Sequence, residues 1–128
     1  MNYPISYDYG NFICLDFLLE KVNNFRNEYC VNSNIQIIKN NNVTLNDCFC
    51  YSQKTERLSG ENRNFCINYN LIYDSEYKSR IYSSPNILIL TLKRGKNNKN
   101  NIKLDFTEIL DLTQFVEVKD RPQMIYNL

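Results

Sequence analysis

Ser83-Ser84-Pro85-Asn86-Ile87-Leu88-Ile89-Leu90-Thr91-Leu92-Lys93-Arg94-Gly95 holds the longest unbroken aliphatic run of the chain, residues 87–90, extended through Thr91 to Leu92. The run is short, rich in branched residues, opened by a proline and closed by Lys-Arg-Gly. That pattern predicts a strand buried on both faces at the centre of a sheet; a buried helix would need a longer, capped run. Downstream, Lys96-Asn97-Asn98-Lys99-Asn100-Asn101 is a polar loop, and Ile102-Lys103-Leu104-Asp105-Phe106 alternates apolar with polar. The two runs are expected to pair as an antiparallel hairpin. Upstream, residues 73–82 alternate with period two. Tyr73, Ser75, Tyr77, Ser79 and Ile81 point one way, and Asp74, Glu76, Lys78, Arg80 and Tyr82 the other. This predicts a half-exposed strand whose charged row is a solvated face.

Working outward, residues 1–10 read as an extended arm. An apolar segment at 11–17 predicts a strand, followed by a short helical turn over 18–24. Residues 23–34 are polar and read as loop, and Ile35-Gln36-Ile37-Ile38 as a short strand. The clearest helix start is Val43-Thr44-Leu45-Asn46-Asp47-Cys48-Phe49. Thr44 is placed to cap the first turn, Asp47 to reach back to the cap, and Val43 and Cys48 to staple the entry. Ser59-Gly60-Glu61-Asn62 is a turn and Phe65-Cys66-Ile67 an apolar island. The segment 110–116 is a compact apolar turn with Asp111 or Thr113 able to cap it. Lys119-Asp120-Arg121-Pro122 is a charged turn, and 124–128 begins another strand. Ending on an apolar strand suggests that the sequence is part of something longer.

The totals bound the function. The 128 residues suffice for one modest domain or a part of a larger one. A net charge of +1 and a sequence pI of about 7.5 leave no electrostatic footprint for nucleic acid or an anionic membrane. No apolar run reaches the ~18–20 residues that span a bilayer, and no secretory signal pattern opens the chain. The five cysteines, Cys14, Cys30, Cys48, Cys50 and Cys66, are odd in number and irregularly spaced. They read as reduced thiols of an intracellular, cytoplasmic or nuclear protein. The chain has no histidine, which removes the commonest general base and metal ligand.

The order of these features resembles the second half of the catalytic domain of the ubiquitin-specific proteases. The capped stretch 43–49 resembles the family's helix of a hydrophobic residue, Ser/Thr, Leu, an acidic pair and Cys. Leu58-Ser59-Gly60-Glu61-Asn62 with Phe65-Cys66 resembles its leucine, small, glycine, acidic, asparagine segment with a following aromatic and cysteine. The stretch 81–94 resembles its most characteristic strand, which ends in Leu-Lys-Arg. Lys103-Leu104-Asp105-Phe106, Leu110-Asp111-Leu112 and Tyr126-Asn127-Leu128 resemble three later strand and turn pieces. The matching pieces span 43–128, and residues 1–42 match loosely.

The resemblance implies an α+β, papain-like cysteine protease fold. This chain would supply mostly antiparallel strands of the fingers and palm with one or two short helices, as a partial domain over 1–128. It implies ubiquitin or ubiquitinated proteins as partners, and hydrolysis of the isopeptide bond at the ubiquitin C-terminus by a histidine-activated cysteine. The family's boxes for the catalytic cysteine, histidine and Asp/Asn have no counterpart here, so no residue is assigned a catalytic role. Cys48 and Cys50 read as structural thiols. Many relatives carry two Cys-x-x-Cys pairs that hold zinc; Cys66-Ile67-Asn68-Tyr69 keeps one cysteine only, so no metal and no cofactor is expected. Gly95 replaces the aromatic usual after Leu-Lys-Arg, and Thr107 stands where proline is common. Arg94 and Gly95, with Tyr73 and Tyr77, are the candidate ubiquitin-contacting positions. The competing readings are a non-catalytic ubiquitin-binding or scaffold fragment, and an unrelated small β-rich interaction protein.

Overall fold

The computed structural model describes residues 8, 10–32, 42–66, 69–95, 101–118 and 124–128, with the backbone alone at 29–32. Most of the expected arm at the N-terminus and of the Lys/Asn loop, and all of the strand at 35–38 and the charged turn at 119–122, lie outside the described residues. In chain order the elements are β1 (Cys14–Leu18), α1 (Leu19–Asn32), β2 (Asn42–Thr44), α2 (Leu45–Ser52), β3 (Thr55–Leu58), a 3₁₀ turn (Gly60–Asn62), β4 (Asn64–Cys66), β5 (Leu71–Tyr73), β6 (Ser75–Lys78), β7 (Ile89–Lys93), β8 (Lys103–Asp105), β9 (Ile109–Asp111) and β10 (Ile125–Asn127). The architecture is mixed α/β, with two helices and mostly short strands.

The strands form five two-stranded ribbons among the described residues. Three are antiparallel, β3–β6, β4–β5 and β9–β10, and two are parallel, β1–β7 and β2–β8. This corrects the central strand drawn from the apolar run. β7 pairs with β1, Cys14 opposite Ile89 and Leu18 opposite Lys93, and not with the strand that follows it. β8 instead runs parallel to β2, Asn42 opposite Lys103. Only one face of the β1–β7 ribbon is covered. Leu15, Phe17, Leu90 and Leu92 face the core, whereas Cys14, Asp16, Ile89 and Lys93 are exposed. Ile87, inside the apolar run but ahead of the strand, is 70% exposed. Two ribbon partners remote in sequence outcompete the local hairpin because each also docks a helix on the core.

The core gathers Phe17, Leu19, Val22, Val43, Cys48 and Phe49 with Ile81, Ile102, Leu110, Leu112, Phe115, Val116 and Met124. Phe49 is at its centre, fully buried, with its ring 5.4 Å from Phe17 edge-on and 5.2 Å from Phe115. Burying such a ring contributes on the order of 1.5–3 kcal/mol, and the aromatic pairs roughly 0.5–1.5 kcal/mol more.

The loop expected at 23–34 is largely helix. Leu19 and Val22 bury the first turn of α1, and Arg26 anchors its middle, donating to the Asn42 carbonyl at 2.7 Å and lying 3.7 Å from the Asp47 carboxylate. Phe25, at helical spacing from Val22, stacks edge-on against Tyr51 at 5.7 Å, so the helix continues through a stretch whose asparagines and charges read as loop.

Helix α2 forms as its sequence dictates. Thr44 Oγ1 accepts from the Asp47 N–H at 3.1 Å, and the Asp47 carboxylate accepts from the Thr44 N–H at 2.8 Å. Val43 and Cys48 on either side of the cap are both fully buried. Leu45, Cys48 and Phe49 form the buried face. The strand expected over 73–82 is broken at Asp74 into β5 and β6, which pair with different partners. Its alternation survives only in part: Tyr73, Ser75 and Ile81 are covered and the opposite row is exposed, but Tyr77 and Ser79 of the expected inward row are exposed as well.

Candidate functional site

The C-terminal end of β7 carries the first pair of candidates. Lys93 Nζ donates to Asp16 Oδ2 across the parallel pair at 2.5 Å. That hydrogen bond and one with Thr91 hold the Asp16 carboxyl below its ordinary range. The next residue, Arg94, donates from Nη1 to the Ile102 carbonyl at 2.6 Å. Its guanidinium therefore ties the end of β7 to the start of β8. Gly95 follows with φ +85°, the left-handed region that a side chain enters only under strain. The departure at this position is thus in the backbone as well as the side chain. A β-carbon built there would sit 3.9 Å from Glu20 Oε2 at the start of α1.

The second pair lies on two antiparallel ribbons. Tyr73 stands opposite Asn64 in β4–β5 and shares a face with Cys66 and Leu71. Tyr77 stands opposite Glu56 in β3–β6, on the face of Leu58 and Ser75, and is 56% exposed. The corner between the ribbons is Asp74. Its carboxylate accepts from Arg63 Nε at 2.6 Å and from Arg57 Nη2 at 3.2 Å. The Arg63 hydrogen bond, aided by Arg57, holds its carboxyl well below the usual range. The outward charged row is therefore not uniformly solvated: Asp74 clamps two guanidiniums, and Arg80 donates to the Gln53 carbonyl. Among the described residues no strand pairing joins β7 to β5 or β6.

The two thiols of α2 are not activated nucleophiles. Cys48 is fully buried, and burial, reinforced by the Asp47 charge, pushes its thiol up to about 12. Cys50 is exposed on α2, and its thiol is also raised, by partial burial first and Asp47 second. A thiolate is the reactive species, so both shifts work against nucleophilic attack. Cys66 is half-buried, and Tyr69 three residues on is 77% exposed.

Residues that sequence reading missed are Arg26, which fastens α1 to β2 and α2, and Arg63, which closes the Asp74 corner. Both sit in polar stretches where nothing local marks their partners. The turn at 110–113 was legible: Asp111 Oδ1 accepts from the Thr113 N–H at 2.8 Å and from its hydroxyl. Thr107, in the position where proline was the expectation, donates its hydroxyl to the Ile109 carbonyl at 2.5 Å and closes that bend by a hydrogen bond.

The fold defines a mixed α/β chain built from short ribbons and two helices. Comparison with known proteins places it more narrowly. No family model matches the chain. It is 38% identical over 82 residues, 59% of its length, to ubiquitin carboxyl-terminal hydrolase 48 of Rattus norvegicus. It is 42% identical over 73 residues, 56% of its length, to ubiquitin carboxyl-terminal hydrolase 4 of Candida glabrata. It is 37% identical over 76 residues to ubiquitin carboxyl-terminal hydrolase 16 of Arabidopsis thaliana. The resemblance to the ubiquitin-specific proteases is borne out: more than half of this chain is similar to a portion of these enzymes. The matched portion is about 8% of the length of each relative.

Proposed function

We propose that this chain supplies strands and the capped helix of the fingers and palm of a papain-like ubiquitin-specific protease domain. The intact enzyme would hydrolyse the isopeptide bond at the ubiquitin C-terminus. The observation that carries this reading is the 35–42% identity to several ubiquitin carboxyl-terminal hydrolases across about three-fifths of the chain. In this reading residues 43–128 are the fingers and palm segment. The end of β7 at Arg94 and Gly95 borders the path of the ubiquitin tail, and Tyr73 and Tyr77 lie on the fingers side. The reducing interior of a cell, cytoplasm or nucleus, is the compartment proposed, in keeping with the free thiols of Cys14, Cys48, Cys50 and Cys66.

The absence of histidine and the elevated Cys48 thiol support a chain that contacts ubiquitin without cleaving it by itself. That also accommodates a second reading, a non-catalytic ubiquitin-binding or scaffold role. Titration of isotope-labelled ubiquitin with the 128-residue chain tests the contact. Chemical-shift changes concentrated in the C-terminal tail of ubiquitin, reduced by Arg94→Ala, are expected. An unperturbed spectrum at roughly 1 mM chain, the affinity range of the weakest specific contacts, would count against both readings. In parallel, a ubiquitin–fluorophore conjugate should show no thiol-dependent turnover. Turnover abolished by iodoacetamide would overturn the non-catalytic assignment.

A further inference from the structure

An open groove of about 400 Å³ runs between the start of α2, the bend after β8 and strand β9. Its floor is the outer wall of the core: Leu45, Leu110 and Phe115 are each under one-tenth exposed. One flank is apolar and open to solvent, with Phe106 64% and Ile109 58% exposed. This apolar flank continues on the outer face of the β9–β10 ribbon, where Ile125 stands opposite Asp111 and is 57% exposed. Single exposed apolar residues need no explanation, whereas a continuous set lining a groove marks a binding surface.

The rim carries charge of one sign. Asp105 and Asp111 line the groove, and among the described residues no lysine or arginine does. Asp105 accepts from the neutral Asn42 amide at 3.0 Å, and Asp111 accepts from Thr113. Among the described residues neither carboxylate has an ion-pair partner. Two carboxylates without an ion-pair partner among the described residues, over an apolar floor, disfavour the phosphates of nucleic acid and anionic lipid. They attract a cation that carries an apolar neighbour. The volume is at the small end of ligand pockets and accommodates one or two large side chains, not a folded domain.

We propose that this groove docks a short segment of a partner protein in which an apolar side chain is flanked by lysine or arginine. The apolar side chain covers Leu45, Leu110 and Phe115, and the flanking cations pair with Asp105 and Asp111. The site is separate from the end of β7 and does not depend on the deubiquitinase reading, so failure of either leaves the other standing.

The test uses the full chain and three labelled seven-residue peptides read by fluorescence anisotropy. One has a central Leu-Phe flanked by lysines, one has the lysines replaced by glutamate, and one has Leu-Phe replaced by serine. The basic apolar peptide is expected to bind at least about tenfold more tightly than either control. Its affinity should fall several-fold between roughly 50 and 500 mM salt. The double variant Asp105→Asn with Asp111→Asn keeps the side-chain oxygens that accept from Asn42 and Thr113. It should retain the wild-type melting curve and weaken the basic peptide about tenfold. Equal binding of the acidic peptide, no binding of the basic one, or indifference to the double variant would overturn the proposal. So would concentration-dependent self-association abolished by Phe106→Ser, because the groove would then be covered by a second copy.

Discussion

Cys48 shows how a single side chain is reassigned by its surroundings. In sequence it is a cysteine on a short helix beside an acidic residue. In the fold it is a small apolar group at the centre of the core, and its thiol is pushed up to about 12 by burial and by Asp47. The sign of the pH effect follows from linkage. The folded state holds the Cys48 proton more tightly than the unfolded state does. The corresponding stability is fully present below the ordinary thiol value of 9.0 and is lost as pH rises from there toward about 12. Wild-type chain should therefore lose more stability over that alkaline range than Cys48→Ala, measured as the difference between their urea midpoints at each pH. Native alkylation followed by mass spectrometry should modify exposed Cys14 roughly 100-fold faster than Cys48, as expected when only the accessible thiolate reacts. Equal rates would show that Cys48 is not buried in solution. The role of Cys48 as a packed thiol was readable from its neighbours; the depth of its burial required Phe17, Val43 and Phe49 to converge on it.

Among the elements, α2 and α1 form a contrast. Everything α2 needs lies within the six residues 43–48: Thr44 at the cap, Asp47 reaching back, Val43 and Cys48 closing the entry. Thr44→Ala should cost about 1 kcal/mol by removing the oxygen that satisfies the Asp47 N–H. Asp47→Ala should cost more than Thr44→Ala, because it also removes the carboxylate 3.7 Å from Arg26. Denaturant midpoints rank the two, and the opposite order would assign Arg26 no stabilising role through Asp47. Helix α1 was legible only in its first turn. Its continuation across an asparagine-rich stretch relies on Leu19 and Val22 in the core and on Arg26 reaching β2. Local propensity says little about a helix held by contacts made elsewhere. The same reasoning covers β7. Its apolar run announced a strand, but the hydrogen-bonding partner is settled by the packing of Leu15 and Phe17 beside Leu90 and Leu92.

For the molecule as a whole, burial is uneven. The core sits under α1, α2 and the β1–β7 ribbon, while the β3–β6 and β4–β5 ribbons project Phe65, Leu71, Ile72 and Tyr77 into solvent. Two-stranded ribbons are marginal without a covered face. Hydrogen exchange should thus reveal two tiers. Amides of α2 and of Leu15–Leu18 in β1 should be protected to the level of global unfolding. Those of β4 and β5 should exchange by local opening, at least about 100-fold faster. Uniform protection would mean that the ribbons are stabilised by contacts other than those described.

What the sequence determined by itself was local in origin: the capped start of α2, the Asp111 turn, the alternating exposure across Tyr73 and Ser75, and the order of pieces that resembles the ubiquitin-specific proteases. Each depends on residues within a few positions of one another, or on pattern alone. Tertiary structure decided the rest. It set β7 parallel to β1 and β8 parallel to β2, carried α1 through a polar stretch, and engaged Arg94 with Ile102. The physical reason is that strand partnership and helix docking are chosen by which apolar faces cover one another, and those faces come from opposite ends of the chain.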